Sequence, residues 1–413
     1  INAGFNRHDR LDEMHSVRFM TTDTILNQQS ETRQTSDDLF LGYGLTWDPE
    51  SLSGFSYDGR FSFGNRNSKA INNSFFADGT EIHLIESEDI INTSGDRFSL
   101  SQDVGYRYKI DTLDSECDTR LGFDISRNTS DQNYSSEYTF PFDTLTAGRV
   151  NNVQQRMIVQ LQSDLTLLLK NGIKTESGLK GSWQQYESDA GYFTVANTIQ
   201  TADSSRNNNY TFNEGVFAAY TQASKTIWGG LVLKAGCRLE YTYMNGKQKL
   251  PYDTSFLVNH ADLFPYLYLS RDLPTLLPNI IPIKLRTYLI YRRTIARPEY
   301  GQLNPSREYV DAFLYEAGNP DLKPQFTNNL EFNISYEDMP ILAFGINYTQ
   351  DVFSEVVYTD PDQSGVAVMT FDNLGKNTEK YIRGMIGIPP GGKYFFALGG
   401  QYNLNNYEGF YEG

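Results

Sequence analysis

Apolar and polar residues alternate along this chain with a period of two, and the alternation persists far longer than an ordinary strand needs. From Phe326 to Tyr336 the even positions are Phe326, Asn328, Leu330, Phe332, Ile334 and Tyr336, and the odd ones are Thr327, Asn329, Glu331, Asn333 and Ser335. Leu231, Leu233, Ala235, Cys237, Leu239, Tyr241 and Tyr243 likewise face away from Val232, Lys234, Gly236, Arg238, Glu240 and Thr242. Similar stripes run through Leu39 to Trp47, Phe55 to Phe63 and Leu285 to Tyr291. A repeat of two is the repeat of a β-strand with unlike faces. Long amphipathic helical stretches are scarce, so the fold class is all-β.

About fifteen such segments can be counted. They lie near 1–7, 38–48, 54–65, 96–109, 116–128, 153–170, 172–187, 212–226, 230–245, 261–272, 282–296, 326–337, 341–358, 366–388 and 393–407. Strands of soluble proteins average roughly 5–6 residues, whereas a tilted strand crossing a bilayer needs about 9–11. Connections alternate in length. Lys170-Asn171-Gly172, Ile227-Trp228-Gly229, Asp338-Met339-Pro340 and Pro389-Pro390-Gly391-Gly392 are short. Long polar connections are expected near 66–95, 129–152, 188–211, 246–260 and 297–325. An up-and-down antiparallel meander puts all of these on one rim, as outer-membrane barrels do with their external loops.

One face of each segment suits lipid. The other carries mixed charge: Asp58 with Arg60, Arg120 with Asp124, Lys174 with Glu176, Arg238 with Glu240. Unpaired ions are not buried in a dry core, so this face meets water or a polar object filling a lumen. That makes the barrel a large one. In hydrocarbon every backbone N–H and C=O needs a partner, which forbids a free sheet edge. Fifteen is odd, and bacterial single-chain barrels have even strand numbers. Strands are therefore expected before Ile1 and after Gly413, and residues 1–7 and 393–407 are not expected to pair with each other.

Residues 291–336 carry a recognisable layout. Tyr291-Arg292-Arg293-Thr294-Ile295-Ala296-Arg297-Pro298-Glu299-Tyr300 is followed by Leu303-Asn304-Pro305, by Gly318-Asn319-Pro320-Asp321-Leu322-Lys323-Pro324, and by a strand from Phe326. In this order the segments resemble the C-terminal barrel of TonB-dependent outer-membrane transporters. A weaker match, Asp372-Asn373-Leu374-Gly375-Lys376 with Tyr381-Ile382-Arg383-Gly384, resembles the next strand of such barrels. Met385 stands where the family has Glu, and Gln325 where it often has Glu. The flavour is similar to the outer-membrane β-barrel branch common in Bacteroidetes. The resemblance implies a 22-strand barrel of which residues 1–413 are one barrel domain, incomplete at both ends, with its plug domain and TonB box outside this sequence. It also implies a bacterial outer-membrane location, with the lipid bilayer, lipopolysaccharide and, through the plug, the TonB complex as partners. The substrate, whether small molecule, peptide or glycan, is not specified.

Within the motif, Arg297, Pro298, Gly318, Asn319, Pro320, Leu322 and Pro324 have a structural reading. Gly and Asn tolerate positive φ and Pro fixes the next φ, so they set where the downward strand begins. Arg292, Arg293 and Arg297 could meet an anionic substrate or pair with Glu299 and Glu308. Arg297, Tyr300 and Tyr309 are the candidate substrate contacts, on a capture surface made by 66–95, 188–211 and 297–325. Trp47, Tyr106, Tyr108, Tyr241 and Tyr243 suit the membrane–water boundary. Cys117 and Cys237 fall on apolar stripes and read as inert thiols rather than a disulfide.

The chain has 35 Lys and Arg against 51 Asp and Glu, a net charge of −16, which speaks against nucleic-acid binding. Four His and two Cys offer no metal-ligand spacing, so no metal or cofactor is expected. No nucleophile–His–Asp set or phosphate loop is present, so no enzyme activity is expected. TonB-dependent nutrient uptake is the leading reading. A plug-less porin or an assembly or secretion barrel is the alternative. A secreted β-sandwich fits the strand lengths poorly.

Overall fold

The computed structural model describes residues 1–19, 24–50, 52–78, 83–196, 199–274, 285–311, 314–336, 339–360, 363, 366–388 and 396–409. The strands run in chain order as β1 (Asn2–Phe19), β2 (Thr24–Glu50), β3 (Ser53–Asp78), β4 (His83–Lys109), β5 (Glu116–Phe140), β6 (Thr144–Leu168), β7 (Lys174–Ala196), β8 (Ile199–Ala202), β9 (Asn208–Thr226), β10 (Val232–Leu250), β11 (Thr254–Asp272), β12 (Leu285–Ala296), β13 (Glu308–Asp311), β14 (Leu314–Glu316), β15 (Gln325–Tyr336), β16 (Met339–Thr359), β17 (Ala367–Ile388) and β18 (Phe396–Glu408). Helix is confined to α1 (Tyr300–Leu303) and a 3-10 turn at Trp228–Gly230, among the described residues.

Leaving out the short β8, β13 and β14, each long strand pairs antiparallel with the next in one up-and-down sheet. Among the described residues β1 pairs only with β2, and β18 only with β17, as expected of the two ends of the meander.

Alternating burial matches the sequence periodicity. Leu330 and Phe332 are 45% and 41% exposed, while Glu331 and Asn333, which alternate with them, are 7% and 0% exposed. Leu239 and Tyr241 are open on the outer face, and Glu240 and Thr242 are buried on the inner one. A register slip of one residue would exchange the two faces of any strand. Exposed Leu39, Leu41, Leu45 and Trp47 mark the lipid band on β2. Trp47 lies opposite Phe55, and Phe55 opposite Tyr106, which gives an aromatic row beside the short turns. Tyr241 lies opposite Phe217, and Trp183 stacks with Tyr243 at 6.0 Å. These rings sit about ten residues further up their strands, a height of roughly 25 Å at the usual tilt. Cys117 and Cys237 are free thiols.

The connections differ from the sequence expectation. Residues 66–95, 129–152 and 246–260 are mostly not loops. They are the upper halves of strand pairs: Arg66 faces Gly95 and Phe76 faces Ile85, Gln132 faces Val150, and Gly246 faces Phe256. Residues 188–211 likewise continue as ladder up to Ala190–Asn208, and β8 folds back on β7. Residues 8–19 and 25–36 do the same between β1 and β2. Above the lipid band both faces of a strand are wet, so hydrophobic alternation disappears while the hydrogen-bond ladder continues. β2 has 27 residues, roughly 70 Å of height at a tilt near 40°, against an apolar band of about 25 Å. The long connection at 297–325 is the one that stays largely irregular.

A recurrent device stiffens the wall. At Gly4, Gly59, Gly148, Gly178, Gly246 and Gly345 the residue directly opposite is Phe40, Tyr43, Tyr134, Tyr220, Phe256 and Tyr381, and its ring lies where a glycine Cβ would be. The ring covers the bare backbone across the pair, so ring and glycine fix the register together.

Candidate functional site

The segment between β12 and β15 folds inward as a strap. Arg297 leaves the top of β12 and donates to Glu240 and to Thr242 Oγ1, at 3.1 Å from Nε and 3.0 Å from Nη2, on the inner face of β10. Glu299 and Gln302 form a capping box around the single turn of α1, with Glu299 N donating to Gln302 Oε1 at 2.8 Å. That turn presents Tyr300 to Tyr186 on β7, stacked with centroids 3.9 Å apart. Leu303 enters a cluster with Tyr186, Tyr210, Phe212, Met244 and Leu322. Inner-face aromatics of β7 and β9 are buried because the strap covers them.

The far end of the strap is fixed to β17. β14 pairs parallel with it, Glu316 opposite Met369, and Ala317 N donates to Met369 O at 3.1 Å. Asn319 Nδ2 donates to Phe371 O at 3.0 Å. Asn373 Oδ1 accepts from Lys323 N at 2.9 Å, and its Nδ2 donates to Lys323 O and Asp351 O. The two stretches that carry the sequence resemblance therefore touch. Gly318 does not have a positive φ, as the turn reading expected. It is glycine because a Cβ would strike the backbone of Gln302 and Asn304 at 2.6 Å, where Gly318 N and Asn319 N donate to Asn304 O and Gln302 O. The positive φ falls on Gly375 instead, at 118°, where β17 is irregular against β16.

Below the strap the inner wall is ion-paired. Glu240 takes Arg238 as well as Arg297. Glu331 is held by Arg383 at 3.0 Å, by Tyr381, and by Asn333 at 3.3 Å. Glu176 lies 2.9 Å from Lys174 and 3.0 Å from Lys234. The buried carboxylates of Glu240 and Glu331 persist there because each has a cation and further donors.

Of the candidate contacts, Arg297 is engaged by Glu240 and Thr242, Tyr300 lines a cavity under the strap, and Tyr309 is in β13 opposite Tyr315, its side chain outside the described residues. Pro298 and Leu322 are buried, Pro324 half-buried. Arg297 pairs with a barrel glutamate rather than with Glu299 or Glu308, and Arg293 points to the outer face, its guanidinium 4.6 Å from the Phe326 ring centre. The cavity has a volume of about 410 Å³, and its charged lining residues are Glu299, Glu308, Glu316 and Glu355. The Glu308 side chain reaches solvent, yet the protein crowding it and the neighbouring Glu316 push its carboxyl above the ordinary range. Sequence reasoning missed Tyr186, Glu240 and Asn373 as partners of the strap. Parity put Tyr186 and Glu240 on the inner face, but which distant segment meets them is not a local signal.

Several solved structures are similar to this chain. The copper transporter OprC is 12% identical, with a TM-score of 0.50 over 96% of this chain and 62% of that one. The ferric yersiniabactin uptake receptor FyuA from Yersinia pestis is 12% identical, with a TM-score of 0.47 over 98% and 62%. The siderophore receptor PirA from Pseudomonas aeruginosa is 13% identical, with a TM-score of 0.44 over 93% and 65%. The chain spans less than two thirds of the length of each. No curated protein sequence matches it. The sequence profile of the outer membrane protein beta-barrel family matches residues 108–412, and the chain belongs to that family.

Proposed function

We propose that this chain is the barrel of a TonB-dependent importer that takes up a scarce nutrient across the bacterial outer membrane. The observation that carries the reading is the inner wall. Glu331 with Arg383 and Tyr381, and Glu176 with Lys174 and Lys234, form a paired polar surface rather than a packed core. A wall of this kind suits a polar body seated inside the barrel, and active importers fill their lumen with a plug. Further strands of the same barrel would pair onto β1 and β18, since an unpaired edge in hydrocarbon costs several kcal/mol per backbone group. The hairpin crown and the strap would capture the substrate. Tyr300 and Tyr309 are its proposed contacts, and Arg297 would act by holding the strap in place. The chemistry is binding and release, with no bond made or broken.

The test is made on the full-length protein. In planar bilayers it should conduct no steady current, and uptake in cells should stop when the proton-motive force is collapsed. A large steady conductance, with uptake independent of energy, would instead assign a passive pore.

A further inference from the structure

We propose that the cavity under the strap binds an organic cation carrying two or more amino or guanidino groups. This names the substrate class of the uptake reading and rests on it. The charged side chains lining the cavity are all acidic: Glu299, Glu308, Glu316 and Glu355. Glu299 is committed to capping α1. The other three have no ion-pair partner among the described residues. Glu308 and Glu316 lie directly opposite each other in the β13–β14 pair. Like charges facing across a strand pair are destabilising, and the pairing of β14 with β17 keeps Glu316 in place opposite Glu308. A bound cation removes that repulsion.

A second, independent feature points to a ligand. Ser306 is 2% exposed and lines the same cavity, and its Oγ has no hydrogen-bond partner among the described residues. Buried hydroxyls are ordinarily satisfied, and an ammonium donor would satisfy this one. Nearby basic side chains are directed elsewhere. Arg307 pairs with Asp360 at 3.5 Å and covers the Tyr315 ring, and Arg156 donates to Gln184 at 2.7 Å. Arg156 also lies 5.6 Å from the centre of the Tyr300 ring, so a guanidinium is already accepted at the edge of this site. A compact metal ion does not fit. Among the described residues no three carboxylates, thiols or imidazoles converge closely enough to ligate one. Separated carboxylates suit an extended polyamine, and the cavity volume is within the usual range of small-ligand sites, about 300–1,000 Å³.

Spermidine is the probe, titrated calorimetrically into the full-length protein in detergent. Saturable binding is expected, weakened at least tenfold in Glu308→Gln/Glu316→Gln and also in Glu355→Gln, which lies on a barrel strand and leaves the hairpin intact. An equimolar magnesium salt should not displace spermidine. Heat-modifiable migration in gels reports that each variant is folded. Absence of saturable binding, unchanged affinity in all the folded variants, or displacement by magnesium at equal concentration would overturn the proposal. Binding needs no transport. Spermidine binding by a protein that passes current freely would sink the importer reading and leave this site standing. Energy-dependent uptake of another substrate without spermidine binding would do the reverse.

Discussion

Single residues in this barrel answer to two solvents. Leu330 faces lipid and its neighbour Asn329 faces the lumen, but Asn329 is 5% exposed and its Nδ2 lies 2.6 Å from Asn347 Oδ1. Leu330→Arg near mid-membrane should cost about 2–4 kcal/mol. Asn329→Arg should also destabilise, because it removes the bond to Asn347 and forces a longer side chain into a position that is already covered. Urea titrations of refolded protein in vesicles measure both, and a neutral Leu330→Arg would reverse the assignment of faces. Gly345 makes a second case. The Tyr381 ring lies across it, and the Tyr381 hydroxyl donates to Glu331. Gly345→Val should displace the ring and break that bond, a loss of about 1–3 kcal/mol in the same titration. Gly345→Ser, smaller by one heavy atom, should lose less. The outward position of Leu330 was legible in the sequence because parity follows from the strand itself. The Gly345–Tyr381 match was not, since it depends on register between two strands.

The strap is the element whose role changed most between sequence and structure. Its motif residues announce a loop, and Leu322 and Pro298 read as structural. What could not be read was that the loop turns inward, because the residues that receive it, Glu240 and Tyr186, are distant in sequence and look like any inward-facing side chains. Arg297→Ala removes both the ion pair with Glu240 and the bonds to Thr242. It also leaves a buried carboxylate with one cation fewer. Hydrogen exchange should rise across 298–311 by tenfold or more, while the ladder from β15 to β17 keeps its protection. Unchanged exchange would show that Asn319 and Asn373 suffice to hold the strap. The Glu308 carboxyl, raised by crowding and by Glu316, gives this element a pH dependence. A raised carboxyl holds its proton more tightly in the ordered strap than in a loosened one, so order is favoured in acid and is lost as pH rises through the raised value. After correction for intrinsic rates, backbone exchange at 308–316 should be slower at pH 5 than at pH 7. In Glu308→Gln this difference should shrink.

At the scale of the whole molecule, the lipid-crossing part was readable and the crown was not. A strand with one face in hydrocarbon announces itself by composition. A strand with both faces in water does so only through partners, which is why the upper halves of β3 to β6 carry a loop-like composition. Because those halves are laddered hairpins, they can be shortened symmetrically. Removing 70–91, which pair as Ala70 with Ile91, and joining the ends by a two-residue turn should leave a folded, heat-modifiable barrel. Loss of folding would mean that the crown is needed to close the sheet.

The strap, fixed to β10 through Arg297 and to β17 through Asn319 and Asn373, is a chord drawn across an arc. A chord of constant length sets the curvature of the arc it subtends. β11, β12, β15 and β16 cannot flatten or bow while both anchors hold, so breathing of the ring is left to the strands outside that sector. The space left beside the strap is then set by the area on the open side of the chord, and lengthening the strap by a few residues would change it without altering a single strand.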